Sequence, residues 1–556
     1  MVRHRAASRG AGETLVLAGI ATLAVVAALA LPGRAGAAEA RRGGTPTGQH
    51  EAALEAELDA RLQHTVELIY SSRLSEARRE ADAARALAPQ DPRVYLMAAR
   101  LLRESFPDQS STGESLERFS APIHAELGRA MQLCDSILAC DPSRAAASLY
   151  RGWAHLFAAQ MHALCDELWS AGRHAKRGKE DLDRALELDP GNRDGQGILG
   201  TYLYFADVLP GAVKLARTVA GIPGGDKTLG REMLRASAAG AGYNRFDAQA
   251  LLGAIAVGFE GDYAASRRVF EALLVDFPTS PRLAEPLAVL DLFAPEHAQL
   301  ERTARLASWF ATDSEDWYRQ LSQRLTLYQS LLEMVVGRVD EALAHLEEVR
   351  RTGPLQPDWI PNDIVLCITE MHLLVGEPAP VLTLSTGGYA RQFTKLLQPL
   401  QEPGAVASPA QAATFRRTQE AARALYAGDV PAARRLLDAL GTADDPAVHF
   451  YRGELSRLGG DAPQAARHYK RLTEEPLPAR WRLYKTLAFS RLAEMRGPSA
   501  PAEAEDLLER AITFNEGRDL LRHFLRTRRR YFDLRASVDE RPRAAAAAAG
   551  TSAAID

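Results

Sequence analysis

The chain has 556 residues, of which 46% are hydrophobic and 25% charged, with a formal net charge of −4 at pH 7. One compact core does not accommodate that length, which leaves several domains or one quasi-linear array, and the ordinary proportions exclude a disordered or fibrous chain. The slightly acidic balance disfavours a nucleic-acid partner, whose phosphates call for a basic face.

The N-terminus opens on a basic head, Met1-Val2-Arg3-His4-Arg5, followed by an apolar run from Leu15 to Leu31 and a small-x-small site at Ala35-Gly36-Ala37. Those three parts in that order predict a secretory signal over 1–37, cleaved before Ala38, the alternative being an uncleaved membrane anchor. Export to the periplasm or the extracellular space follows, with membrane contact only through an uncleaved N-terminal segment. Cleavage removes Arg3, Arg5, Arg9 and Arg34 against Glu13 and makes the mature chain more acidic. No later stretch approaches the roughly 20 apolar residues that a span requires. Cys134, Cys140, Cys165 and Cys367 remain; an exported chain can pair some of them, whereas single cysteines packed between helices need no pairing.

Residues 38–50 read as a flexible leader. From Glu51 the apolar residues Leu54, Leu58, Leu62, Val66 and Ile69 recur at helical spacing. A second helix through Ala77, Ala81 and Ala84 stops at Ala88-Pro89, and the same ending returns at Asp141-Pro142 and Asp189-Pro190, where proline closes one helix and opens the next. Degenerate helix pairs are therefore expected over 51–199, with a polar loop at Asp108–Gly113. Regularity breaks at 200–242, read as an irregular apolar helical insert in which Asp226 caps a helix. Helix pairs resume over 243–386, an irregular loop follows over 387–409, further pairs occupy 410–533, and 534–556 reads as a disordered tail.

A glycine-anchored phrase recurs at Gly261-Asp262-Tyr263, Gly337-Arg338-Val339, Gly428-Asp429-Val430, Gly460-Asp461 and, more loosely, from Gly497. A small residue stands five positions later in each copy (Ser266, Ala342, Ala433, Ala465, Ala502), and in the first four a bulky one follows after four more (Phe270, Leu346, Leu437, Tyr469). Gly428 and Gly460 are 32 residues apart and Gly261 and Gly337 are 76 apart, close to one and two periods of about 34 residues. The phrase resembles the tetratricopeptide repeat. That resemblance implies an all-α superhelical array of antiparallel helix pairs whose concave face binds peptides or protein segments. The stretch from Leu209-Pro210 through Gly224-Gly225-Asp226 to Gly230 is also faintly similar to the inclusion-body-clearance and tetratricopeptide-repeat-39 family. The lysine-and-asparagine clamp that some such repeats use for a C-terminal carboxylate does not map here, because lysine is scarce.

Candidate chemistry is thin. Gly221 to Thr228 falls one residue short of a phosphate-binding loop, since Asp226 stands where a glycine is required, so a helix cap is expected there. His155, His162, Cys165 and Glu167 share one helix, but no second ligand pair completes a metal motif, and packing surface is the expectation. No nucleophile motif is present, so neither catalysis nor any cofactor is expected. Tyr202, Tyr204 and Phe205 in the insert stand out as candidate partner or ligand contacts because aromatic residues carry large contact areas; the competing reading has them sealing a joint between helix stacks. The expected function is an exported non-enzymatic scaffold for a protein or peptide partner in the cell envelope. The alternative is an accessory protein that holds a lipid or small ligand in the 200–222 insert.

Overall fold

The computed structural model describes residues 46–515 apart from 105–112, 166, 209–213, 215–221, 312–315, 352–358, 379–395, 403 and 498. The expected signal over 1–37 and tail over 534–556 lie outside the described residues, as do residues 516–533. Regular structure among the described residues is entirely helical, in twenty-one α-helices with short 3-10 and π turns. The chain divides into two compact units, Met1–Ile255 with Arg268–Ser280, and Ala256–Arg267 with Pro281–Asp556.

The first unit contains α1 (Pro46–Tyr70), α2 (Leu74–Leu87), α3 (Pro92–Glu104), α4 (Gly113–Cys140), α5 (Ala145–Leu164), α6 (Leu168–Leu188), α7 (Arg193–Asp207), α8 (Lys227–Ala238) and α9 (Arg245–Ile255). It also takes most of α10 (Tyr263–Asp276). The helices pack as successive pairs, α1 with α2, α3 with α4, α5 with α6 and α7 with α8. The second unit contains α11 (Pro281–Phe293), α12 (Leu300–Ala311), α13 (Asp316–Val335), α14 (Val339–Arg351), α15 (Trp359–Val375) and α16 (Pro409–Tyr426). It continues through α17 (Val430–Asp438), α18 (Pro446–Leu458), α19 (Ala462–Glu474), α20 (Arg482–Arg496) and α21 (Pro501–Phe514). Here α13 packs on α14, α16 on α17, α18 on α19 and α20 on α21. The architecture is an all-α solenoid of TPR-like helix pairs.

The glycine phrase has a direct physical cause. Gly337, Gly428 and Gly460 take φ of 89°, 84° and 80°, the left-handed region that a residue with a Cβ enters only at a cost. That conformation closes each first helix: Arg338, Asp429 and Asp461 donate their backbone N–H to the carbonyls of Glu333, Ala424 and Ser456, five residues back. The next helix starts at once, because the carboxylates of Asp429 and Asp461 accept from the N–H of Ala432 and Gln464, each at 3.0 Å. Ser266, Ala342, Ala433 and Ala465 are fully buried between the helices. The knobs that follow have sockets: a Cβ placed on Gly453 would lie 2.6 Å from the Tyr469 ring, and one on Gly253 would lie 2.9 Å from Phe270. The second pair is one residue further apart in sequence than the first, and the π turn Ala256–Glu260 absorbs that residue.

The structure revises three boundaries. Gly497 is helical at φ −50°, Ala502 is exposed, and the small and bulky pair of that copy is Ala504 with Leu508, both fully buried. Two additional residues in the connection before Pro501 shift the phrase. Helix α1 begins at Pro46, within the stretch read as a leader, and Gln49 and His50 near its start are exposed. Within 200–242, residues 200–207 complete α7 and 227–238 form α8, while 209–213 and 215–221 between them lie outside the described residues. Two copies of the turn escape the glycine pattern. Ser72, with φ 62°, is the one non-glycine residue of positive φ among the described residues, and Arg73 N–H closes back on Leu68 there. Gly376 does the same at the end of α15, where Glu377 N–H reaches His372.

Buried ions tie distant helices within each unit. Arg100 on α3 donates to both carboxylate oxygens of Asp247 on α9, at 2.7 and 3.0 Å, while Tyr70 on α1 donates to the same carboxylate at 2.6 Å. In the second unit Glu454 on α18 accepts from Arg491 on α20 at 2.9 Å, Tyr469 on α19 at 2.5 Å, Arg457 at 2.7 Å and Tyr426 on α16 at 2.9 Å. None of the four cysteines forms a disulfide, and Cys134 and Cys367 are buried. Among the described residues no helix is long and apolar enough to cross a membrane.

Candidate functional site

The three aromatic residues singled out in the sequence lie on the second half of α7, and all are interior. Tyr202, Tyr204 and Phe205 are 6%, 3% and 1% exposed. Tyr202 donates its hydroxyl to the carbonyl of Pro223 at 2.7 Å, and the Tyr204 and Phe205 rings meet edge to face at 5.2 Å. They therefore lie in the joint around α7. The joint is tight because its helices meet backbone to backbone. A Cβ on Gly230 would lie 2.6 Å from Gly200 O and Tyr204 N, and one on Gly225 would lie 2.2 Å from Leu203 O. Asp226 caps α8, its carboxylate accepting from Thr228 and Leu229 N–H at 2.9 and 3.0 Å, which is the expected capping turn. Gly230→Ala is expected to cost about 3 kcal/mol, the scale of overpacking against a backbone that cannot yield. Gly428→Ala, where nothing lies within 4 Å of the added Cβ, meets only the left-handed penalty of about 1–2 kcal/mol. Urea denaturation of the two variants checks the ranking.

An open surface for binding is found elsewhere, at the C-terminal helix pairs. A cavity of about 480 Å³ lies among α19, α20 and α21, and a second of about 390 Å³ adjoins it, sharing Thr473 and Arg510. The first is floored by Leu492 and Leu507 and edged by Lys470 and Arg496 on one side of the charge balance and Glu503 and Asp506 on the other. The second is built on Phe489 and Phe514. Cations lie over these rings: Arg510 is 5.2 Å from the Phe489 centroid, and Lys485 and Arg482 are 5.4 and 4.9 Å from that of Phe514. Burial, with Arg510 adding repulsion, lowers the Lys485 pKa from its ordinary value. Lys485 also donates to the Glu475 carbonyl at 2.7 Å. The two cavities make one trough with an apolar floor, aromatic faces and rims of both signs. Such a trough suits a polypeptide segment, whose side chains alternate in character. The sequence hides it because its lining is shared among ordinary residues of three helices. The available signal was lysine itself: Lys470 and Lys485 are two of only seven in the chain.

No family model matches the chain, and no curated protein matches it. Solved structures that it is similar to include a human IFIT1 dimer with PPP-AAAA, 12% identical over 75% of this chain and 93% of that one, with a TM-score of 0.27. A human IFIT1 dimer with m7Gppp-AAAA is 12% identical over 86% and 95%, with a TM-score of 0.24. A monomeric IFIT1 mutant with Gppp-AAAA is 12% identical over 73% and 78%, with a TM-score of 0.27. Superpositions of that size carry nothing about this chain's ligands.

Proposed function

We propose that the chain is an exported, non-enzymatic scaffold of the cell envelope that grips an extended segment of a protein partner in the trough across α19, α20 and α21. The observation that carries this is the trough itself, in which the half-buried Leu507 and Phe514, backed by the buried Leu492 and Phe489, offer apolar contact between rims of both charges. Buried aromatic contact supplies most of the energy in such interfaces, and the charged rim sets register and orientation. Export rests on the basic head, apolar run and Ala35-Gly36-Ala37 site; N-terminal sequencing of the mature protein is expected to begin at Ala38. Tyr202, Tyr204 and Phe205 are interior, so in the alternative reading only a lipid or small ligand enclosed among the helices would meet them.

The test is capture from envelope extract with the wild-type chain and with Lys470→Glu/Arg510→Glu. Reversing two rim charges is expected to reduce recovery of the partner about tenfold, as rim electrostatics do when they fix register. Equal recovery by both proteins would place the interaction elsewhere, and no recovery by either would sink the scaffold reading.

A further inference from the structure

Two helix pairs, one in each unit, carry a pair of histidines at the same register. His155 on α5 meets His174 on α6 with their Nδ1 atoms 3.0 Å apart, and His449 on α18 meets His468 on α19 with theirs 3.3 Å apart. Each first histidine stands nine residues before the end of its helix, Leu164 or Leu458, and each second one six residues past the start of the next, Leu168 or Ala462. The contact therefore falls at one place in both pairs. Two Nδ1 atoms share a hydrogen bond only when one carries a proton and the other a lone pair. An imidazolium carries a proton on both nitrogens, so charging the accepting ring sets N–H against N–H.

In the second unit the neighbours fix every proton. Asp444 Oδ1 lies 2.9 Å from His449 Nε2, and a carboxylate accepts, so His449 holds its proton there and offers a lone pair at Nδ1. Gln464 Oε1 accepts from Arg467, which turns the amide nitrogen toward His468 Nε2 at 3.2 Å. His468 therefore accepts at Nε2 and donates from Nδ1 to His449. Arg471 donates to the other oxygen of Asp444 at 2.7 Å. The chain of bonds from Gln464 through His468 and His449 to Asp444 runs in one direction and is complete only while both imidazoles are neutral.

We propose that these histidine pairs are acid-released clasps: a proton taken up by the pair breaks the bond that joins α5 to α6 and α18 to α19, and each helix pair loosens as the medium is acidified. The surroundings oppose a second charge. His468 faces His449 and Arg452 from α18 and Arg467 and Arg471 from α19. His174 faces His155 and His162 from α5, Arg177 from α6 and His124 from α4. The packed neighbours α7 and α20 supply none of the charges that act most strongly on these two rings. Acids stand beside the other two: Asp181 and Asp135 by His155, countered by Arg177 and Arg151, and Asp444 by His449. Burial, with the neighbouring imidazoles and guanidinium groups adding to it, takes His174 and His468 from 6.5 down to about 4. With the folded value below the unfolded one, the unfolded chain takes up the proton first. The stabilisation is complete above pH 6.5 and is lost as pH falls from there to about 4. Helix α19 also carries Lys470, Thr473 and Glu474 of the trough, so acid should weaken the grip on a partner held there. That consequence rests on the trough reading, whereas the clasp itself does not.

Histidine-labelled full-length protein is titrated by NMR, and the opening constant of α18 and α19 is taken from hydrogen exchange, corrected for its intrinsic pH dependence, at pH 7 and pH 5. The His174 and His468 rings are expected to stay neutral to pH 5, and opening is expected to rise about 20-fold through His468 alone. His468→Asn keeps a donor where Nδ1–H stands but does not titrate, so it should lose that rise; His64→Asn, at an exposed histidine, should keep it. His174 and His468 titrating near 6.5 would overturn the clasp, as would the same rise in His468→Asn as in the wild type. If His468→Asn does not fold, the titration of the wild-type rings decides alone. Capture from envelope extract at both pH values separates the two readings. Recovery that falls at pH 5 in the wild type and holds in His468→Asn supports the link to the trough, and recovery unchanged by pH removes it. No recovery at either pH counts against the trough and leaves the clasp standing on the exchange data.

Discussion

Replacing Glu454 with glutamine is expected to lower the stability of the second unit by about 4 kcal/mol, the cost of leaving buried charges without their partner. Glu454 is fully buried and accepts from donors on α16, α18, α19 and α20. Arg491, itself 3% exposed, then faces a neutral amide oxygen in place of the carboxylate, beside the Phe293 carbonyl at 2.5 Å and a Glu494 oxygen at 3.4 Å. Arg457 fares better, because Glu296 still accepts from it at 3.1 and 3.3 Å. The penalty should therefore fall mainly on Arg491. Glu454→Gln combined with Arg491→Met should recover part of the loss, since an apolar replacement leaves no charge to solvate. Urea denaturation with hydrogen exchange on α18 and α20 measures both, and a loss below about 1 kcal/mol for the single variant would refute a stabilising role.

The pH dependence of that pair has a definite sign. Burial alone raises the Glu454 carboxyl, but Arg491 and then Arg457 outweigh it and bring the group from 4.5 down to about 2. A folded value below the unfolded one means that the unfolded chain binds the proton more readily. The stabilisation is complete above pH 4.5 and is lost as pH falls through about 2. On the order of 3 kcal/mol follows from a difference of that size. The Glu454→Gln variant should lack this segment of the acid-unfolding curve.

The helix-pair array was legible because its turns impose a chemical requirement that few residues meet. Left-handed backbone at the end of a helix selects glycine, an immediate restart selects aspartate, and close approach five residues later selects a small side chain. Gly428-Asp429 and Gly460-Asp461 satisfy all three in sequence and in structure. Where one requirement was met by another residue the pattern failed. Ser72 holds the left-handed position without being glycine, and Gly497 is a glycine that does not hold it. Gly200 and Gly230 are glycines of another kind, which let two helices touch along their backbones.

The candidate sites were less legible, because each depends on which residues from separate helices come to share a place. Tyr202, Tyr204 and Phe205 look like contact residues in a linear reading, and only the packing of α7 and α8 shows that they face inward. The trough is assembled from α19, α20 and α21. Helical periodicity specifies a face, whereas a site between helices needs the register of one helix against the next.

Asp247→Ala is the second change expected to have a large effect, about 4 kcal/mol on the first unit. In sequence Asp247 is an ordinary acid in the first turn of α9, where it would be worth about 0.3–1 kcal/mol through the helix dipole. In the structure it is 1% exposed and is the carboxylate partner of Arg100, which is fully buried, and of Tyr70. The two readings differ several-fold in magnitude, so one measurement separates them. Removing the carboxylate leaves a guanidinium on α3 with Glu104 at 3.8 Å as its remaining ion-pair partner and strips an acceptor from the Tyr70 hydroxyl. Arg100→Met alone should cost a similar amount, because a lone buried carboxylate is as poorly placed as a lone guanidinium. The double variant Arg100→Met/Asp247→Leu should be far less damaging than the sum of the two, which yields a large coupling energy in a double-mutant cycle. Asp262→Ala serves as the exposed comparison: its carboxylate caps α10 by accepting from Ala265 N–H at 2.8 Å, and its loss should cost about 1 kcal/mol. Equal effects for Asp247→Ala and Asp262→Ala would show that the buried pair is not what joins α1, α3 and α9.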